Sequence, residues 1–266
     1  MNKSPLISIV TIVYNGDKHL EQTILSVTSQ SYPNVEYIII DGGSTDKTVE
    51  IIKKHESRIK YWISEKDKGV SDAFNKGLSQ ATGEFVGIIN ADDWYAPDAF
   101  SAVSRFFADS DVIYGDMQMW KGDKKEYVVQ GNHNLLESEM SVNHPTVFVR
   151  KSCYENEGAF NPIFKCAMDY ELLLRLKLRN YRFRHVSQVI AHMRWDGVSD
   201  SKWLLGCKET LDIKNKYIPG RKTRHLIYYY NHILAIGLPK FFKSVGLNFI
   251  VKFYRSNFST LKKDFS

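Results

Sequence analysis

The 266-residue chain predicts an α/β fold: a half with a mostly parallel sheet, an α+β half, and a basic helical tail. Three observations predict it. Apolar, β-branched runs alternate with helix-period segments through the first 115 residues. That alternation breaks after Asp116. Polar residues then recur where the strands of the first half should end. A β-α-β-α-β order places neighbouring strands in parallel with helices on both faces. The expected divisions are residues 1–115, 116–218 and 219–266.

The elements follow in chain order. Ile7–Tyr14 reads as a strand. Lys18–Gln30 reads as a helix with Leu20, Ile24 and Val27 on one face. Tyr32-Pro33-Asn34 turns the chain into a strand over Val35–Ile40, ending at Asp41. Ser44-Thr45-Asp46 caps a helix over Lys47–Lys54. Ile59–Ile63 is a strand, Val70–Gln80 a helix, and Phe85–Ile89 a strand. Pro97–Phe107 is a helix with proline near its first turn, and Val112–Tyr114 is a short strand. Beyond it, Met117–Trp120 and Tyr127–Val129 form a hairpin around Lys121-Gly122-Asp123. Thr146–Val149 and Val189–His192 are strands; Asp169–Arg179 and Ser201–Tyr217 are helices.

Composition sets the compartment and the partners. Three cysteines, Cys153, Cys166 and Cys207, lack paired or metal-like spacing, which fits a reducing compartment. The start of the chain is not patterned as a cleavable leader. The longest uncharged stretch of the tail, His225–Pro239, is shorter than the ~20 residues that span a bilayer. The expected location is therefore cytoplasmic, on the inner membrane face if the tail meets lipid. Of the 36 Lys and Arg, nine lie in residues 219–266, with a single acid, Asp264. The remainder is slightly acidic, which disfavours a nucleic-acid partner.

The chemistry gathers at strand ends, where open α/β sheets bind ligands. Tyr14-Asn15, Asp41, Ser64-Glu65 with Lys66-Asp67-Lys68-Gly69, and Asn90-Ala91-Asp92-Asp93 follow four successive strands. Adjacent carboxylates after an apolar strand call for a cation, and Mg²⁺ or Mn²⁺ shares its shell with substrate phosphates. The alternative is a turn or helix cap before Pro97. Tyr14-Asn15-Gly16-Asp17 is neither G-x-G-x-x-G nor a P-loop, so a dehydrogenase and a P-loop hydrolase are disfavoured. A sugar nucleotidyltransferase would want a Gly- and Arg-rich loop there.

Four motifs in order carry a resemblance: Ser8–Asn15, Ile40–Thr48, Asp72–Gly77, and Gly83-Glu84-Phe85 followed by Asn90-Ala91-Asp92-Asp93. Over residues of about 6 to 200 the chain resembles the family 2 glycosyltransferases, inverting enzymes of GT-A fold with a Rossmann-like nucleotide-binding half. The resemblance implies donor contacts at Thr11, Tyr14, Asn15, Asp41, Asp72, Asn75, Asn90, Ala91 and Asp92. Asp41 would accept from uracil N3–H. Asp92 would ligate Mn²⁺ or Mg²⁺ in the D-x-D element, whose first acidic position is here Asn90. Asn143-His144-Pro145-Thr146 implies an acceptor contact at His144, with a structural histidine as the alternative. Met168-Asp169-Tyr170-Glu171 implies that Asp169 is the catalytic base, with a helix cap as the alternative. His192, before a loop at 194–199 like the family's closing loop, is a candidate for metal or diphosphate.

The expected donor is a nucleotide sugar, most simply UDP-linked, and the acceptor a glycan or lipid-linked glycan. A binding module without activity is the rival class. Leu238, Phe241, Phe242, Val245, Phe249 and Phe253 trace an apolar helical face in the basic tail. It suits an anionic membrane; packing on the catalytic domain or in a homodimer is the alternative.

Overall fold

Strands that carry apolar side chains on both faces must be covered on both faces. β1 (Ile7–Val13), β2 (Val35–Asp41) and β4 (Phe85–Asn90) are such strands, buried along nearly their whole lengths. In the computed structural model, which describes residues 4–195 and 202–244, they pair in parallel. Ile7 lies opposite both Val35 and Phe85. β3 (Tyr61–Ser64) extends the parallel run beyond β2. α1 (Leu20–Thr28), α2 (Thr48–Lys54) and α3 (Val70–Gln80) are the crossovers. α1 buries Leu20, Ile24 and Val27, the stripe its sequence spacing defines.

Among the described residues the sheet has nine strands and runs β3-β2-β1-β4-β8-β6-β9-β5, with β7 paired to β6. β8 (Phe148–Arg150) lies antiparallel between β4 and β6 (Val112–Lys121). β9 (Phe183–Arg194) runs parallel to β6. β5 (Trp94–Tyr95) and β7 (Lys124–Val129) complete it. Both expected halves therefore share one sheet. The expected strand Val112–Tyr114 and the first hairpin arm are one ten-residue strand, β6, irregular in register around Gly115 and Asp116.

Other boundaries moved for local reasons. The helix expected over Pro97–Phe107 is α4 (Ala99–Ser104), because Asp98 takes a left-handed conformation, φ 58°, and delays its start. The strand expected over Thr146–Val149 starts at Phe148, because His144–Thr146, with Pro145, form a 3₁₀ turn. α5 (Lys151–Glu157) carries no apolar period and was not expected. α6 (Met168–Leu178) buries Leu172, Leu173, Leu174 and Leu176. Glu171 is buried with them, paired at 3.0 Å to Arg175, whose guanidinium also donates to the Gly158 and Ala159 carbonyls.

The chain forms two compact units, residues 1–198 and 199–266. The second unit contains α7 (Trp203–Tyr217) and α8 (Lys222–Ser244). Within it, Lys214 Nζ lies 3.3 Å from the Tyr228 ring centroid, and His225 Nδ1 lies 3.1 Å from Asn215 Oδ1. The tail helix expected around Leu238 thus begins at Lys222; Val245, Phe249 and Phe253 lie outside the described residues. No described helix is long and apolar enough to cross a membrane.

Close packing of α3 on β1 depends on Gly77, where a Cβ would stand 2.2 Å from Val10 Cγ1. Alanine gains about 1 kcal/mol over glycine within a helix. Overpacking a core costs about 1–3 kcal/mol. Gly77→Ala is therefore expected to destabilise on balance, read as a lower urea midpoint at unchanged slope.

Candidate active site

The ends of β1, β2, β3 and β4 form one rim because their registers align: Val13 lies opposite Asp41, Asp41 opposite Ser64, and Ile12 opposite Asn90. Asp41 is wholly buried. Its carboxylate accepts from Ser44 Oγ (2.5 Å), the Ser44 amide (3.0 Å) and Ser64 Oγ (2.5 Å). Asn15, at φ 50°, accepts from the Thr45 amide at 2.9 Å, and its own amide donates to Ser44 Oγ at 2.7 Å. The first and second βα loops are thereby joined. Tyr14 is 65% exposed at this edge. Thr11 lies deeper: it is buried, and its hydroxyl accepts from Tyr37 OH at 2.9 Å.

A further carboxylate belongs to this corner. Asp67 Oδ2 lies 2.6 Å from where a Gly42 Cβ would stand, and Tyr14 Cδ2 lies 3.5 Å from the same point. Asp67 is partly exposed, and its Oδ1 accepts from the Gly69 amide at 2.8 Å. The sequence placed Asp67 on the rim without a role; Gly42 directly after Asp41 is the signal that something approaches closely there. Asp72 accepts from the Lys68 amide at 3.0 Å, which holds its carboxyl below the usual range, and Lys76 stands 3.5 Å away. Asn75 is turned to the structure: its amide donates to the Phe160 carbonyl (2.9 Å) and accepts from the Phe160 amide (3.0 Å).

The turn after β4 separates two carboxylates. Asp93 is 1% exposed, and its Oδ2 has no hydrogen-bond partner among the described residues. Burial first, then the charge of Asp92, push its carboxyl well above the usual range; bonds from the Asn90 side chain and the Arg194 backbone oppose this. Asp92 is partly exposed, and among the described residues its carboxylate makes no hydrogen bond or ion pair. Its backbone carbonyl is held by Arg194 Nη1, while Arg194 Nη2 donates to Gln22 Oε1 at 2.5 Å. The guanidinium lies 4.3 Å from the Trp94 ring centroid. Buried Ala91 is tied to α1, its carbonyl accepting from Thr23 Oγ1 at 2.9 Å. Gln22 carries no motif signal, and Arg194 enters the sequence reading only as the first residue of the loop at 194–199.

A single carboxylate suits Mg²⁺ or Mn²⁺ when substrate phosphates complete the shell, and Asp92 offers one. No group of three His, Cys, Asp or Glu side chains among the described residues is arranged to hold a metal. His192 is held by an aromatic neighbour. Its Nδ1 accepts from Trp120 Nε1–H at 3.1 Å, so the neutral ring carries its proton on Nε2. The ring is stacked on Trp94, centroids 5.0 Å apart, and burial lowers its pKa to about 4. The loop at 196–201 lies outside the described residues.

Asp169 and His144 line one cavity of about 10 Å³, room for a single water, with Ile88, Val147, Tyr154 and Leu172. Asp169 sits in the first turn of α6, where its Oδ1 accepts from the Tyr170 amide at 2.7 Å. His144 packs against Phe74, centroids 5.2 Å apart. Its Nε2 is buried with no hydrogen-bond partner among the described residues, and burial lowers its pKa, opposed by the charge of Asp169.

His192 sets a pH dependence. Above pH 6.5 its ring is neutral in both folded and unfolded chains. As pH falls below 6.5 the unfolded ring takes up a proton that the folded ring refuses until about pH 4, so stability falls across that window. His192→Gln retains an acceptor for Trp120 and is expected to lose less stability between pH 7 and pH 5. Equal losses in urea melts of variant and wild type would reject this.

The comparisons agree with the geometry. An uncharacterized glycosyltransferase of Haemophilus influenzae is 38% identical over 112 residues, 41% of this chain and 45% of that relative. The chondroitin synthase of Escherichia coli is 27% identical over 200 residues, 71% of this chain and 29% of that relative. The matches therefore span less than half the length of these relatives. Staphylococcus aureus TarS (residues 1–349), crystallised with UDP-GlcNAc, superposes with a TM-score of 0.66 at 18% identity, covering 86% of this chain and 73% of that one. The mannosyltransferase PcManGT of Pyrobaculum calidifontis, in complex with GDP-Man and Mn²⁺, superposes with a TM-score of 0.63 at 18% identity, covering 97% and 77%. These likenesses show the GT-A fold. The family model for glycosyl transferase family 2 matches residues 8–174, and the chain belongs to that family.

Proposed function

We propose that this chain is an inverting glycosyltransferase that moves a hexosyl or N-acetylhexosaminyl group from a UDP-sugar to a hydroxyl of a glycan or lipid-linked glycan. Surface polysaccharide or glycolipid assembly is the matching process. The observation that carries the reading is Asp92, a partly exposed carboxylate with no hydrogen bond or ion pair among the described residues, at the rim of four aligned parallel strands. UDP-GlcNAc bound by TarS supports a UDP donor, and GDP-Man bound by PcManGT marks the alternative base.

The base of the donor meets the corner of Tyr14, Asp41 and Asp67. Asp67 faces the ligand; Asp41 fixes Ser44 and Ser64 beneath it. Asp92 with the substrate's phosphate oxygens would hold the divalent metal, which neutralises charge on the departing diphosphate when bound. Asn90 stands at the first acidic position of the D-x-D element, so Asp92 is the carboxylate that the element offers the metal. Asp169 removes the proton from the acceptor hydroxyl as that oxygen attacks the anomeric carbon. The new C–O bond forms as the bond to the nucleoside diphosphate breaks, and the configuration inverts. His144, neutral and beside Asp169 in the same cavity, orients the acceptor. On the membrane side the basic tail meets an anionic surface.

A donor screen tests the reading: release of nucleoside diphosphate from UDP-, GDP- and dTDP-sugars with Mn²⁺ or Mg²⁺, in the presence of glycan acceptors. Asp169→Asn is expected to lower kcat by about 10²–10⁴, the scale of a general base, with donor KM little changed. Asp92→Ala is expected to remove the metal dependence. Unchanged turnover in Asp169→Asn would overturn the base assignment.

A further inference from the structure

α8 leaves one apolar stripe in solvent. Ile227, Tyr230, Leu234 and Leu238 are 59%, 57%, 53% and 48% exposed. At about 100° per residue their spacing places them within an arc of roughly 80°. α7 engages other residues of α8: Lys214 lies over Tyr228, Asn215 lies against His225, and Trp203 lies 3.3 Å from where a Gly237 Cβ would stand. The stripe is therefore not the face that holds this helical hairpin together.

Charge decides what covers the stripe. Residues 219–244 contain five Lys or Arg and no Asp or Glu. Arg221, Lys222 and Arg224 are exposed at the start of the helix. Two copies of this chain joined through the stripe would bring two such sets of cations together with no carboxylate from either segment to offset them. An anionic lipid surface supplies negative charge for these cations and accepts the apolar side chains at the same time. Tyrosine at the stripe, an apolar ring with a polar tip, suits the same boundary.

We infer that the face formed by Ile227, Tyr230, Leu234 and Leu238 is a docking surface for an anionic bilayer, with α8 lying along the headgroup plane. The assignment names the membrane side of the proposed acceptor chemistry, yet it is read without turnover and so stands or falls separately from the catalytic reading.

The experiment is co-sedimentation of the full chain with phosphatidylcholine vesicles, with and without phosphatidylglycerol. The wild type is expected in the pellet only with phosphatidylglycerol, and less so at high salt. Ile227→Glu with Leu234→Glu is expected to weaken binding at least about tenfold, on the scale of one buried leucine. Because both positions are exposed, circular dichroism and donor hydrolysis should match the wild type. Wild type left in the supernatant with phosphatidylglycerol vesicles would overturn the proposal. So would equal binding by the double variant, or a wild-type dimer in light scattering that the double variant dissociates.

Discussion

Two adjacent carboxylates kept in opposite environments are the constraint on which the site depends. Asp93 is enclosed and Asp92 meets solvent. A buried carboxyl is costly unless it is neutral or bonded, and both remedies are in use here. Burial and the charge of Asp92 raise its pKa, opposed by the polar groups of Asn90 and the Arg194 backbone. The turn is then fixed from two sides. Thr23 Oγ1 reaches the carbonyls of Ala91 and Asp93 from α1, and Arg194 reaches the Asp92 carbonyl from β9.

The remaining loops are held by the same kind of bond, a side chain fixing a neighbour's backbone. Asn15 binds the Thr45 amide, Asn75 binds both polar groups of Phe160, and Arg175 binds the carbonyls before Phe160. Phe160 packs on Phe74 and beside His144. Bonds to loop backbone thus reach the wall of the Asp169 cavity. This pre-organises the site before ligand arrives, so less ordering accompanies binding.

Legibility followed how local the controlling interaction is. β1, β2 and β4 were readable because short, mostly apolar and β-branched runs bounded by turn residues read as covered strands, too short for a buried helix. α3 was readable to the residue because Gly69 and Ala81 bound its period. β5 was not, since two residues carry no period and Trp94-Tyr95 is a strand only through its pairing with His192 and Ala191. The strand ends gave Asp41 and Asp92 as rim positions. They did not give the burial of Asp41, which rests on Ser44 and Ser64. The tautomer of His192 depends on Trp120, 72 positions away. The role of Asn75 rests on a backbone 85 positions away.

The seam between β4 and β8 joins the parallel half to the wall of the cavity that holds His144 and Asp169. Up to β4 the strands are parallel; β8 enters antiparallel, with Gly87 opposite Phe148. Gly87 is required there: a Cβ would stand 2.8 Å from the Phe148 ring and 2.9 Å from Tyr95 OH. Ile88 on one side of the seam and Val147 and Val149 on the other line the cavity that holds His144 and Asp169. A sheet parallel throughout would carry a crossover helix where that cavity lies. The antiparallel entry of β8 thus sets its residues beside Ile88 of the parallel half around the cavity that holds Asp169.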